Sequence, residues 1–466
     1  MSMKDSIVRL AFLEISNIKN VKNGRIVMPG ALGKEPIQDK AEVLGIYGQN
    51  GSGKTAVIDT LYYLQKIMIG DTLADELVEY IDADSSQAEI IAEFHIFRDT
   101  VFYEVGYKIV LNKTEKGVEI FRETLSYAKT ENEDRRNKTV FMDFQREKES
   151  PVFLPKKRYE EVIEVNKENN TDLIVARKMA EKSRCSYVFG ENSRDIFFQN
   201  YTNRFQECAE LIEDLFIFAL KDLFVICNIH SGVISANFLL PVAFKIEQDK
   251  FSMKGDFAIP MTKPVVLERE RKELLDTLVE QINTVLCTII PGMHIAVKDY
   301  GKQLTDSGEE GYKVELVSVR DNTPPIPIRM ESEGIIKIIS ILNALIQAFA
   351  NPSICLAIDE LDAGIFEYML GELLDIFNKN AKGQLVFTSH NLRALEMLDK
   401  ESIMFSTVNP EKRYIHMKNI KPSNNLRDVY LRGITLGGQD EVIYEATDSL
   451  KIARAFRKAG RSMRHG

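Results

Sequence analysis

At 466 residues, with 44% hydrophobic and 28% charged side chains, the chain is long enough for roughly two or three domain-sized units and has a folded, soluble composition. A formal net charge of −9 excludes a uniformly basic, DNA-coating surface, although a local basic patch is compatible with it. Five cysteines without paired spacing (Cys185, Cys208, Cys227, Cys287, Cys355) read as free thiols; with no signal-like apolar core in residues 1–16 and no apolar run near the ~18–20 residues of a membrane span, a cytoplasmic protein without a membrane partner is expected.

Residues 6–16 alternate apolar and polar in the manner of a strand, and AEVLGIYG at 41–48 reads as a buried strand ending in glycine. A helix is predicted from Thr55 to about Ile69. Residues 89–97 and 101–110 read as two antiparallel strands, with a third around 118–121. From roughly 125 to 285 charge-rich stretches predict solvated helices and loops, with helical patterns near 171–184, 203–224 and 266–288. Strands return at 293–298 and 312–319. The Pro-rich turn 322–329 leads into a long apolar helix, 334–349, and strands at 353–358 and 384–389 flank a helix at 366–379. This alternation predicts a largely parallel α/β core. There is no internal repeat and no heptad run long enough for an extended coiled coil.

GQNGSGKT at 48–55 fits the phosphate-binding pattern G-x-x-x-x-G-K-[ST], with a buried strand before it and a helix after it. The glycines Gly48, Gly51 and Gly53 let successive backbone N–H groups, including those of Asn50 and Ser52, turn towards phosphate at a helix N-terminus. Lys54 offers a charge to the β- and γ-phosphates and Thr55 a hydroxyl to Mg²⁺, so ATP and Mg²⁺ are the expected ligands. SICLAIDELD at 353–362 delivers Asp359 to a strand's carboxyl end as a Mg²⁺ ligand, with Glu360 placed to polarise the attacking water. Two adjacent carboxylates there would be costly without a cation. A plain strand-to-helix cap by Asp362 is the bland alternative. QLVFTSHN at 384–391 ends a further strand in His390, which can reach the γ-phosphate.

A phosphate loop, an apolar strand ending in Asp-Glu, an aspartate two residues later and a strand-terminal histidine, in that order, resemble an ABC-type ATPase head. That class includes SMC and RecF-like proteins and the bacterial AAA-15/AAA-21 ATPases. The resemblance covers about 1–125 and 290–440. It implies a mostly parallel core sheet, an antiparallel β subdomain and a helical insertion. It also implies a further Ser/Gly motif that closes on the γ-phosphate from the opposite subunit. ESEGIIK at 331–337 matches it in part through Ser332, Glu333 and Gly334, and Ser332 is also placed to cap the helix that follows. Asp362 would cross the dimer interface, and Gln87 is the candidate for the Mg²⁺-sensing glutamine.

Four units are expected: 1–125 and 289–440 as the two halves of the ATPase head, 126–288 as a mainly helical insertion, and 441–466 as a basic C-terminal helix or tail. NLRDVYLRGITLGGQDEV at 425–442 resembles the AAA-15 group, many of whose members look like phage-defence ATPases acting beside an effector nuclease. The first functional expectation is therefore a homo-oligomeric sensor or scaffold controlling a separate, TOPRIM-type effector nuclease; the alternative is a RecF-like repair ATPase that binds DNA. The tail carries Lys451, Arg454, Arg457, Lys458, Arg461 and Arg464; docking on nucleic acid, on an acidic partner or on the protein's own surface stays open beside a merely solvated terminus.

Overall fold

The computed structural model describes residues 6–33, 36–131, 134–148, 150–227, 239–248, 251–305, 307–418 and 425–462. The chain opens on a hairpin, β1 (Ile7–Ile18) and β2 (Val21–Val27), then runs through β3 (Glu42–Tyr47) into the helix Lys54–Met68. A meander follows of β4 (Gln87–Arg98), β5 (Val101–Thr114) and β6 (Gly117–Glu131), extended by β7 (Asp134–Arg135), β8 (Thr139–Gln145) and β9 (Phe153–Leu154). Helices Lys156–Val165, Asn169–Ser183, Glu191–Phe197 and Gln206–Ile217 lead to β10 (Leu223–Ile226). The hairpin β11 (Leu239–Gln248) and β12 (Phe251–Pro260) precedes β13 (Val265–Glu268), the helix Arg269–Ile289, β14 (Met293–Leu304), β15 (Glu310–Arg320) and β16 (Ile326–Pro327). The helix Glu333–Ala350, β17 (Cys355–Ile358), the helix Glu367–Asn380, β18 (Gln384–Thr388), β19 (Ile403–Ser406) and β20 (Tyr414–Ile415) follow, before helices Leu426–Leu436 and Ser449–Ser462.

The architecture is mixed α/β, and its largest sheet is not parallel. Eight strands, ordered β2-β1-β4-β5-β6-β8-β9 with β7 on β6, pair antiparallel throughout. The expectation of a mostly parallel core sheet is therefore corrected: among the described residues parallel pairing is confined to a six-stranded sheet, β10-β17-β18-β3-β19, edged by antiparallel β20. The physical reason is the short connections between β4, β5 and β6, because two- or three-residue turns join only antiparallel neighbours. The reading of 118–121 as a short strand and of 129–138 as solvated helix or loop missed the length of β6 and the presence of β8. One face of that sheet alternates with polar residues, so charge in the sequence did not exclude a strand.

The stretch 126–288 is mixed rather than mainly helical. Beside its helices it supplies β10, which joins the parallel sheet next to β17. LFVI follows helix Gln206–Ile217 after a single π turn, and a short apolar run of this kind has no periodicity to separate it from the helix before it.

Helix Lys54–Met68 lies between the two large sheets. One face of the parallel sheet (Leu44, Ile46, Cys355, Ala357, Val386) shares its core with Val57, Leu61 and Leu64 and with the antiparallel sheet. The other face (Val43, Leu356, Ile358, Leu385, Phe387) packs on helices Glu333–Ala350 and Glu367–Asn380. Glu333–Ala350 is 18 residues long and, contrary to the sequence expectation, passes as a membrane span by length and composition. Its window is 67% buried inside the protein. Ile341, Ala344 and Leu345 face the parallel sheet, whereas Ile336, Ile339 and Leu342 face the smaller β13-β15-β14 sheet and helix Arg269–Ile289. A helix enclosed on two sides is apolar nearly all round. All five cysteines are free thiols.

The two sheets are joined by a buried ion pair. Arg9 on β1 is 1% exposed, and its guanidinium meets the Glu42 carboxylate of β3 at 2.7 and 2.8 Å. Its remaining donors go to the carbonyls of Gln38, Lys40, Pro352 and Lys382 at 2.8–3.2 Å. Gln384 of β18 completes the network, exchanging hydrogen bonds with the Leu10 backbone at 2.7 and 2.8 Å and donating to Glu42 at 2.9 Å. Because every partner is satisfied, removing one charge strands the other in a dry interior. Arg9→Met is expected to lower unfolding free energy by about 3–5 kcal/mol, read by urea denaturation; a loss under about 1 kcal/mol would show the pair to be dispensable.

Candidate functional site

The parallel strands converge on one edge. Because β18 lies between β3 and β17, the segments following these three strands come side by side: 48–55, 359–362 and 389–391. Sequence-distant motifs thereby become one cluster, as the α/β rule for ligand sites at the carboxyl ends of parallel strands anticipates.

Residues 48–53 turn from β3 into helix Lys54–Met68, with Gly53 as the helix N-cap at φ +87°, a conformation that favours glycine. Gly48 is buried, while Asn50 and Gly51 sit exposed at the tip of the loop. Ser52 is buried and donates to the Gln49 carbonyl at 2.7 Å. Lys54 is 6% exposed and folds back on the loop, donating to the carbonyls of Gly48 (2.9 Å) and Gln49 (3.0 Å). Burial lowers its pKa, and the carboxylates of Asp359, Glu360 and Asp362 oppose that shift. Its ammonium is thus held at the loop's mouth by weak neutral acceptors, a position a phosphate could take over.

Thr55 Oγ1 lies 3.5 Å from Asp359 Oδ1. Asp359 is 1% exposed; its Oδ1 also accepts from Thr388 Oγ1, while its Oδ2 is buried with no hydrogen-bond partner. A buried carboxylate oxygen left without a donor is expensive. An orphaned carboxylate beside a threonine hydroxyl is an all-oxygen donor set, which fits Mg²⁺. Glu360 follows at φ +49°, its N–H donating to Thr388 Oγ1 at 2.7 Å.

His390 is exposed, and its backbone N–H donates to Asp362 Oδ2 at 3.0 Å. Partial burial and the Lys54 charge lower the pKa of its imidazole, which favours the neutral ring at physiological pH. Ser332 is exposed and caps helix Glu333–Ala350 by accepting from Ile335 N at 3.4 Å. Gly334 is buried against Gly364: a side chain there would approach the Gly364 carbonyl oxygen to 1.8 Å. One turn later Lys337 donates to the Glu360 carbonyl. The Ser332–Gly334 turn is therefore packed on its own Asp359–Gly364 segment. Among the described residues no hydrogen bond links it to Gly48–Thr55, and none links Gln87, at the exposed start of β4, to any motif residue.

Several supports of the site were not read from the sequence. Asn20, in the tight turn between β1 and β2, donates to the Gly51 carbonyl. Tyr414 Oη donates to the Gly53 carbonyl at 2.6 Å, and Arg413 donates to the Asn20 carbonyl. Ser406 contacts both Ser52 and the Tyr47 carbonyl. Thr388, which binds Asp359 and Glu360 together, stood two residues before His390 and was the one such residue the local pattern could have flagged.

No protein-family model matches the chain, and no curated protein matches it. Solved structures that match include the Smc head bound to the C-winged helix domain of ScpA, at 10% identity over 87% of this chain and 97% of that one, with a TM-score of 0.36. The SMC head domain from Thermotoga maritima matches at 11% identity over 88% and 100% of the two chains, with a TM-score of 0.34. The recombination mediator RecF with ATP matches at 10% identity over 83% and 94%, with a TM-score of 0.33.

The contact between Gly334 and Gly364 leaves no room for a methyl group. Gly334→Ala is expected to cost about 1–3 kcal/mol of stability; thermal unfolding indistinguishable from the parent would show that the turn is not packed as described.

Proposed function

We propose that this chain is an ABC-type ATPase that binds ATP·Mg²⁺ at Gly48–Thr55 and completes its hydrolytic site with a second copy of itself. The observation that carries the reading is the convergence of Lys54, Thr55, Asp359, Glu360 and His390 at one edge of the parallel sheet, with Asp359 Oδ2 buried and unpartnered. Lys54 and the N–H groups of residues 50–55 would hold the triphosphate, and Thr55 with Asp359 would hold Mg²⁺, which supplies charge neutralisation between the β- and γ-phosphates. Glu360 takes a proton from the attacking water, whose oxygen bonds to the γ-phosphorus as the β–γ bridging oxygen leaves with ADP. His390 donates a ring N–H to the γ-phosphate.

A second copy is supported by what the turn at Ser332–Gly334 does not touch. Ser332 and Glu333 are exposed at the start of helix Glu333–Ala350, the end of a helix that favours an anion. Met330 (68% exposed) and Phe366 (67% exposed), four residues before Gly334 and two after Gly364 in the chain, offer apolar surface to a facing protomer.

The finer reading is a defence ATPase that controls a separately encoded effector nuclease, and it rests on the resemblance of 425–442. In the fold, 426–436 is a helix whose Tyr430 stacks on Phe405 of β19 at 5.0 Å, next to the strand that braces the phosphate loop. DNA binding in a RecF-like role is the alternative.

Lys54→Ala is expected to weaken ATP binding roughly 10- to 150-fold by calorimetry; unchanged affinity would remove the phosphate assignment. Glu360→Gln is expected to bind ATP normally, turn it over about 10²–10⁴ times more slowly and accumulate as a dimer on gel filtration. Turnover at the parent rate would exclude Glu360 as the base.

A further inference from the structure

The basic C-terminal segment is a helix standing off the body of the protein. Asp448 starts it, its carboxylate accepting from the N–H groups of Leu450 and Lys451 at 2.9 and 3.0 Å. At 3.6 residues per turn, Ile452, Ala455, Phe456 and Ala459 share one face of Ser449–Ser462. Lys451, Arg454, Arg457 and Lys458 occupy the opposite face. On the apolar face Phe456 is 76% exposed and Ile452 43%; Leu450, at the start of the helix, falls among the cations. Arg464 lies outside the described residues.

The root of this helix is fixed. Val408 N–H donates to the Val442 carbonyl at 2.8 Å, Asn409 donates to Glu441 at 3.0 Å, and Glu445 N–H donates to Gln49 Oε1 of the phosphate loop at 2.9 Å. Ile443 is buried between these contacts. The strap sets where the helix leaves the protein, close to the nucleotide motif.

We infer that Ser449–Ser462 is a docking element for an anionic lipid surface, lying in the plane of the interface. The argument is the separation of two chemistries on one helix. A nucleic acid would satisfy the four cations through its phosphates but leave Ile452 and Phe456 in water. A lipid surface takes both: the apolar face enters the acyl boundary while the lysines and arginines meet anionic headgroups. Contact of this kind is peripheral and involves no membrane span.

The test is flotation of the full chain with vesicles of phosphatidylcholine alone and with about 30% phosphatidylglycerol added. Binding is expected to the anionic vesicles only. Phe456→Asp should weaken it roughly tenfold or more, and replacing Lys451, Arg454, Arg457 and Lys458 by glutamine should weaken it roughly 100-fold or more. Circular dichroism and ATP binding should be unchanged in both variants, because the substituted side chains are exposed. Failure to float with anionic vesicles would overturn the inference, as would binding insensitive to Phe456→Asp. Loss of duplex-oligonucleotide binding in the four-glutamine variant, without any vesicle binding by the parent, would assign the helix to nucleic acid instead.

Discussion

The buried Arg9–Glu42–Gln384 network is the constraint on which the arrangement depends. It ties the first strand of the antiparallel sheet to two adjacent strands of the parallel sheet, with helix Lys54–Met68 held between them. Hydrophobic burial would press these layers together in many registers, since apolar contact has no direction. A guanidinium whose donors are all committed to particular carbonyls and to one carboxylate admits a single alignment. The phosphate motif at the end of β3 is therefore placed by a charge network at the far end of the same strand.

The loop itself is braced from outside its own motif. Asn20, Ser406 and Tyr414 come from the β1–β2 turn, β19 and β20, and between them they engage Gly51, Ser52 and Gly53, while Arg413, just before β20, holds the Asn20 carbonyl. Lys54 adds an internal tie to Gly48 and Gln49. A glycine-rich loop is entropically costly to order, and these contacts meet that cost before any ligand arrives. Preorganised backbone donors are what phosphate binding at a helix N-terminus requires. The same logic applies to Thr388, which positions Asp359 and the Glu360 backbone with one hydroxyl.

Local patterns carried a good part of this. The strand–loop–helix around 48–55, the apolar strand ending in Asp359 and Glu360, and the helices 269–289 and 367–380 were legible because their signals lie within one element's length. The antiparallel character of the largest sheet was partly hidden, since its solvent face carries the charges that made 129–138 look like loop. β10 was invisible for a different reason: four apolar residues after a helix have no period of their own. The apolar helix Glu333–Ala350 was legible to within a residue at each end, but not that its second buried side faces the small sheet built from 265–320.

The sequence alone made the Gly48–Thr55 motif legible, because its glycines, lysine and threonine form one contiguous pattern that needs no distant partner to be recognised. It also determined the helix start at Ser332, where the cap accepts from an N–H group three residues away. Only the tertiary structure decided that β18 lies between β3 and β17, so that His390, Asp359 and Lys54 share one edge. It alone decided that Ser332–Gly334 packs on Gly364 and not on its own phosphate loop. These outcomes rest on sheet order and on close backbone approach between segments tens to hundreds of residues apart, and no local pattern encodes either.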